Sequence, residues 1–153
     1  MKNLIIIATI LLLASCCPLK KDDNTETKTT KVSNSDMKTP ALEDLQNKTW
    51  YWVNTKMNDG TTITPEENAS NIIFGKENKI NIQSDCNKGS STFTLDGKSL
   101  NIAPIMATKM FCKDSKEKQF FNNLMAANSV FLNNGKLFIE LKMDSGTMEF
   151  IAK

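Results

Sequence analysis

Short alternating segments separated by turn residues dominate the chain from Leu45 onward. Thr49-Trp50-Tyr51-Trp52-Val53 is aromatic and β-branched, the composition of a strand. Asn58-Asp59-Gly60 reads as a turn. Asn71-Ile72-Ile73-Phe74 and Lys79-Ile80-Asn81-Ile82 flank Gly75-Lys76-Glu77-Asn78, the pattern of a hairpin. Ile80 and Ile82 alternate with polar residues, so one face is expected buried and the other wet. Thr92 to Leu95 and Leu100 to Ile102 flank a turn at Asp96-Gly97-Lys98. Phe131, the Asn133-Asn134-Gly135 turn, Leu137 to Leu141, the Asp144-Ser145-Gly146 turn and Met148 to Ile151 make a closing meander. Between these lies a different period. Phe120, Phe121, Leu124 and Met125 form a helical stripe that predicts a helix over Asp114 to Ala127, capped by Asp114 or Ser115 with Glu117 in the first turn. The expected fold is mainly β (α+β), a curved antiparallel sheet or partial β-barrel of about 7–8 strands with one packed α-helix. No repeat of solenoid length is visible in the sequence.

The N-terminal pattern is of another kind. Lys2 is followed by an apolar run from Leu4 to Ala14, broken only by Thr9. Eleven helical residues rise about 16 Å, too short for a hydrocarbon core of about 30 Å. The segment reads as the apolar stretch of a signal peptide. Leu13-Ala14-Ser15-Cys16 then resembles the lipobox of bacterial lipoproteins. That resemblance implies cleavage between Ser15 and Cys16, a diacylglyceryl group on the Cys16 thiol and acylation of the new N-terminus. The partner so implied is a lipid bilayer, held through Cys16. Two or three acyl chains, at about 0.8 kcal/mol per buried methylene, anchor stably where one chain would not. Cys17 is open to three readings: bystander, second modified thiol or intermolecular partner.

From Pro18 to about Ala41 the chain is rich in Thr, Lys, Asp and Ser with almost no large apolar residue. It cannot bury enough apolar surface to offset chain entropy and is expected to be disordered. The expected organisation is a signal peptide over 1–15, an anchor and tether over 16–44, and a folded domain over 45–153. Lys20-Lys21-Asp22-Asp23 resembles the Lys-then-acidic signals that send lipoproteins to the cell surface in Bacteroidetes-type bacteria. A solvated linker run is the other reading, with the periplasmic face of the outer membrane as the alternative location.

Composition removes whole classes of chemistry. The 153 residues contain no His, and all 19 basic residues are Lys. Ser-His-Asp triads, Cys-His pairs and His-based zinc sites are therefore excluded. Without Arg there is no planar fork for phosphate or base recognition, and a formal charge of +2 gives no footprint for nucleic acid. Glu66-Glu67 is a loop pair unsuited to facing one substrate, and no glycine-rich phosphate loop or spaced calcium loop occurs. Cys86 and Cys112 remain. A bridge between them would close a loop of about 27 residues and contribute about 3.5 kcal/mol on a loop-entropy account. Two free thiols, or a bridge from one of them to Cys17, are the alternatives. Two Cys without His leave a tetrahedral zinc short of ligands, so no metal and no cofactor are expected.

The residues around these cysteines carry a resemblance. Asp85-Cys86-Asn87, Phe93-Thr94-Leu95-Asp96-Gly97, Leu100 and Ala107-Thr108-Lys109-Met110-Phe111-Cys112 resemble the META domain, a family that includes HslJ-like heat-shock lipoproteins. Leu45 with Trp50, Ile72-Ile73-Phe74, Asn128-Ser129-Val130 and Asn134-Gly135-Lys136-Leu137 extend the likeness over Leu45 to Lys153. The family's Gly before the Cys is Asp85 here, and its Gly five residues later is Ser91, so the turn is expected to differ. The resemblance implies a conical or half-barrel antiparallel sheet with a helix, loose links to heat shock, antibiotic tolerance, secretion or motility, and no catalytic activity. Trp50, Asn87, Thr108 and Met110 are then structural: Asn87 and Thr108 bond backbone in a tight loop, and Met110 fills core. The function expected is a non-enzymatic envelope lipoprotein, stress-related or an interaction module for an unknown envelope protein. A small apolar ligand or peptide in the mouth of the barrel, walled by Phe, Met and Trp, is the alternative.

Overall fold

The computed structural model describes residues 37–153. The expected signal peptide, the lipobox Leu13 to Cys16, Cys17 and the Lys20–Asp23 run lie outside the described residues.

Eleven strands and two α-helices follow one another. They are β1 (Met37–Lys38), α1 (Leu42–Leu45), β2 (Trp50–Met57), β3 (Thr62–Ile63), β4 (Asn71–Phe74), β5 (Lys79–Gln83), β6 (Lys88–Asp96), β7 (Ser99–Ile102), β8 (Met106–Ala107), α2 (Glu117–Met125), β9 (Ala127–Asn133), β10 (Lys136–Leu141) and β11 (Gly146–Ala152). Eight of the strands form an antiparallel barrel in the order β9, β10, β11, β2, β4, β5, β6, β7. The ring closes where Ser99 pairs with Ser129 and the Val130 N–H donates to the Lys98 carbonyl at 2.8 Å. Closure removes the free edges that a partial barrel would carry.

The alternation read from the sequence sets the inner wall. Ile72, Phe74, Ile80, Ile82, Leu137, Ile139 and Leu141 all point inward and are buried. On β2 the inward positions are Trp50, Trp52 and then Thr55. The extra residue is a bulge against β11, where Phe150 opposes Trp52 but Glu149 opposes Asn54. Trp52 Nε1 donates to Thr55 Oγ1 at 3.0 Å, which satisfies the indole inside the core. The α2 stripe supplies Phe120 and Leu124, both fully buried. Phe120 stacks on Trp52 with centroids 4.8 Å apart, so the helix plugs the barrel and fills its interior. Such a pair contributes about 1 kcal/mol beyond its buried area.

Two expectations are corrected here. The folded body starts before residue 45, because Met37–Lys38 pairs with Asn133 and Leu132 and Leu42–Leu45 is helical. Leu45 is fully buried and its carbonyl accepts from Trp50 Nε1 at 2.9 Å, which draws the preceding turn onto the barrel. The helix α2 is shorter than expected, since Ala127 already belongs to β9. Among the described residues no helix is long and apolar enough to cross a membrane.

Candidate functional site

The residues around the two domain cysteines converge at one place. After β5 the chain turns tightly: Ser84 N–H donates to the Asn87 carbonyl at 2.8 Å, and Ser84 Oγ accepts from the amides of Cys86 (3.1 Å) and Asn87 (2.7 Å). Such local side-chain bonding is how Ser stabilises a turn. The turn presents Cys86 to Cys112, and the two are joined as a disulfide with Cα atoms 5.8 Å apart. It also buries Asn87, whose side-chain amide is fully employed. Asn87 Oδ1 accepts from Thr108 Oγ1 at 2.7 Å and from the Met110 N–H at 2.8 Å. Asn87 Nδ2 donates to the Met110 carbonyl at 3.1 Å and to Glu117 Oε1 at 3.0 Å. The other Glu117 oxygen accepts from Ser84 Oγ.

Thr108 fastens the same segment to β6. Its N–H donates to the Lys88 carbonyl at 3.0 Å, and its Oγ1 accepts from the Lys88 N–H at 3.3 Å. Just before it, β8 pairs with Gly89 and Ser90. That pairing needs Gly89, because a Cβ there would stand 2.9 Å from Ile105 Cγ2 and 3.0 Å from the Met106 carbonyl oxygen. Strand pairing, amide clamp and disulfide thus hold residues 106–112 along the outside of the barrel.

The apolar side chains of this segment face water. Met106 is 76% exposed, Met110 63% and Phe111 95%. Met110 therefore does not fill core as expected: the clamp takes its backbone, and its side chain projects outward. Trp50 is buried beneath the sheet, and Asn87 and Thr108 bond backbone and each other. Met106 stands between two surface grooves of about 380 and 510 Å³, the larger one walled by Ser91, Ala103 and Pro104. Lys88, Lys109, Lys113 and Lys116 adjoin the segment and are exposed, the last two sharing a groove with Glu66, Asp85 and Asp114. The ion pairs of the described residues use other lysines, namely Lys38, Lys79, Lys136 and Lys153.

Asp85 has a role that sequence reasoning missed. Its Oδ1 accepts from Ser115 Oγ at 2.6 Å and its Oδ2 from the Lys116 N–H at 2.7 Å. Ser115 Oγ in turn accepts from the Glu117 N–H at 3.0 Å. The start of α2 is thus bonded by a carboxylate thirty residues upstream, acting with Ser115, while Lys116 occupies the cap position and bonds nothing there with its side chain. Asp114 does not cap the helix; it adopts a left-handed backbone at φ 63°. The signal was present as a departure, an acid where the resembling family has Gly. Ser91, the second departure, is buried and donates to the Ala103 carbonyl at 2.8 Å, fixing the strand-to-segment corner.

The shifted carboxyls lie away from this cluster. Lys136 at 2.7 Å, and then Asn54, hold the Glu149 carboxyl below its usual range. A hydrogen bond from Lys38, and then the Ala41 N–H, does the same for Asp44. The Thr61 N–H lowers Asp59. Glu66 and Glu67 are exposed, and Glu67 stands 3.9 Å from Lys153. Among the described residues no group of three or more His, Cys, Asp or Glu is placed to hold a metal. What this arrangement can do is hold a short segment with exposed Met and Phe side chains in a fixed position on the surface.

A family model described as the META domain matches residues 43–153. The NMR structure of a protein from Burkholderia xenovorans superposes with a TM-score of 0.67 at 18% identity, covering 88% of this chain and 99% of that one. The crystal structure of a DUF4847 family protein from Bacteroides vulgatus ATCC 8482 superposes with a TM-score of 0.55 at 18% identity, over 71% of this chain and 94% of that one. A further NMR structure gives 0.55 at 21% identity, over 73% and 94% of the two chains. At these identities the likeness is one of fold. No curated protein matches the chain.

Proposed function

The chain belongs to the META domain family, and from that premise we propose that it is a non-enzymatic lipoprotein of the bacterial envelope that works as an interaction module. In this reading residues 1–15 direct export, Cys16 carries the lipid, a polar tether follows, and the META domain is displayed at the outer membrane. The family's links to stress fit such a role.

The observation that carries the reading is the exposed Met106, Met110 and Phe111 ridge. Water-facing apolar side chains are ordinary when scattered, but here three of the largest sit on one segment fastened by a disulfide and a buried amide. Spending two cross-links to fix exposed apolar groups makes sense for a surface that must meet something. The alternative, a ligand in the barrel mouth, has no comparable support. Of the Phe, Met and Trp residues on the barrel strands, Trp50, Trp52, Phe74, Phe93 and Met148 are buried core, and Phe120 stacks on Trp52 inside the barrel. Against enzymatic activity stands the absence of His from the sequence.

The anchor is tested by the intact mass of the protein extracted from membranes. A chain beginning at Cys16 with added diacylglyceryl and acyl groups is expected. The mass of an unmodified chain would overturn the lipoprotein reading.

A further inference from the structure

We infer that the Met106–Cys112 segment docks on an anionic phospholipid surface, with Phe111 and Met110 entering the interface and the surrounding lysines meeting headgroups. The inference rests on the envelope reading for its supply of a bilayer.

Four observations lead there. First, the exposed apolar groups are few, three side chains within six residues of chain. A stable protein interface buries about 800 Å² on each partner, which three projecting side chains do not supply, whereas insertion of one Phe and two Met into a headgroup boundary needs no matching surface.

Second, the charge is complementary to anionic lipid. Lys109 and Lys113 lie in and beside the segment with no acid between Met106 and Lys113, and Lys88 bonds it at Thr108; the acids nearby are Glu66, Asp85 and Asp114, which line a groove with Lys113 and Lys116, and Glu117. Two of those acids are occupied: Asp85 bonds the start of α2, and Glu117 bonds Asn87 and Ser84. Long Lys stems can lie along acyl chains while the ammonium groups stay at the headgroups.

Third, the segment is fixed, so little ordering cost attends insertion; the Asn87 clamp and the disulfide have already been formed.

Fourth, the bilayer is within reach. Residues 17–36 separate Cys16 from Met37, and about 20 residues extend to at most about 70 Å, more than the about 30 Å length of the nine-residue strand β6. A domain tethered by Cys16 can therefore turn this ridge to the membrane that holds it.

The test uses the chain from Pro18 onward, which lacks signal and anchor. It keeps the folded body, because every residue of the core lies between Leu45 and Phe150. The substitution Phe111→Trp adds a reporter at a site that is 95% exposed, while Trp50 and Trp52, at 1% and 2%, stay silent to lipid. Vesicles of phosphatidylcholine alone are compared with vesicles that also contain phosphatidylglycerol. With anionic vesicles a blue shift of the new indole and its quenching by brominated acyl chains are expected, with little response on phosphatidylcholine. Met110→Ser with Phe111→Ser should weaken co-sedimentation about tenfold or more, and Lys109→Glu with Lys113→Glu should abolish the preference for anionic lipid. An unshifted, unquenched indole on anionic vesicles, with the fold intact by circular dichroism, overturns the inference. So does equal binding by the double Ser variant. Because this chain has no Cys16, failure here leaves the anchor untouched, and an unmodified Cys16 in the mass measurement leaves vesicle docking untouched.

Discussion

The side chain of Asn87 bonds both backbone polar groups of Met110, accepting from its N–H at 2.8 Å and donating to its carbonyl at 3.1 Å. One buried amide thereby imitates a rung of β-ladder for a residue whose own side chain points into water. Backbone polar groups need partners, and here a distant side chain supplies them where no strand does. The consequence is a segment held like sheet but presenting Met110 and Phe111 outward.

Asn87→Ala removes four hydrogen bonds and is expected to cost about 2 kcal/mol, read as a lowered urea midpoint. Met110→Ser, at an exposed position, should stay within about 0.5 kcal/mol of the parent. A large loss for Met110→Ser with none for Asn87→Ala would reverse the assignment of structural and surface roles.

The Cys86–Cys112 bridge joins residues 26 apart. Cys86→Ser with Cys112→Ser is expected to lower stability by about 3 kcal/mol, seen equally when the parent is unfolded with and without reductant. In the protein isolated from cells neither of these thiols should take an alkylating reagent until reductant is added. Full labelling beforehand would show that the bridge is not formed in the cell.

Asp85→Ala takes the partner from the Lys116 amide and from Ser115, and should cost about 1 kcal/mol with fraying at the start of α2. Asp85→Asn keeps an acceptor oxygen and should recover most of the loss. Amide hydrogen exchange at residues 116–118 is the direct readout.

Glu149 makes the fold acid-sensitive in a defined direction. Lys136, then Asn54, hold its folded-state pKa below the unfolded one of about 4.3. The stabilisation is therefore complete above that value and fades as pH drops through the lower, folded-state one. Glu149→Gln should lose about 0.5 kcal/mol at pH 7, and its stability should fall less steeply than the parent's below pH 4. Parallel acid limbs would show that this pairing carries no stability.

Much of the barrel was legible because alternation reports burial directly. Lys79 to Ile82 and Leu137 to Leu141 bury every second residue, and the structure has strands there. The Phe120 and Leu124 stripe marked the helix for the same reason. The two-residue strands β1, β3 and β8 were not legible: they are too short to show a period, and distant partners hold them. Closure rests on Ser99 and Ser129, which carry no apolar signal. At the start of α2, Ser115 does bond the Glu117 N–H as local capping rules suggest, but those rules look within one turn and do not reach Asp85, which completes the bonding from thirty residues upstream. At the site, Cys86, Asn87, Thr108 and Cys112 carry the family resemblance, but the sequence leaves the bridge open against free thiols or a pairing with Cys17, and the structure joins them. At Met110 the residue type suggests a side chain suited to a core, while the fold uses its backbone and leaves the side chain in water.

On the proposed function, contact is made by the Met106 to Phe111 ridge and not by the barrel interior. It is tested most directly by placing a photo-crosslinking side chain at Phe111 in the full-length protein in cells, with the same group at exposed Thr94 on β6 as control. Adducts in the membrane fraction that form from position 111 and not from position 94 are the expected result. Adducts equally abundant from both positions, or absent from position 111, would rule out contact through the ridge.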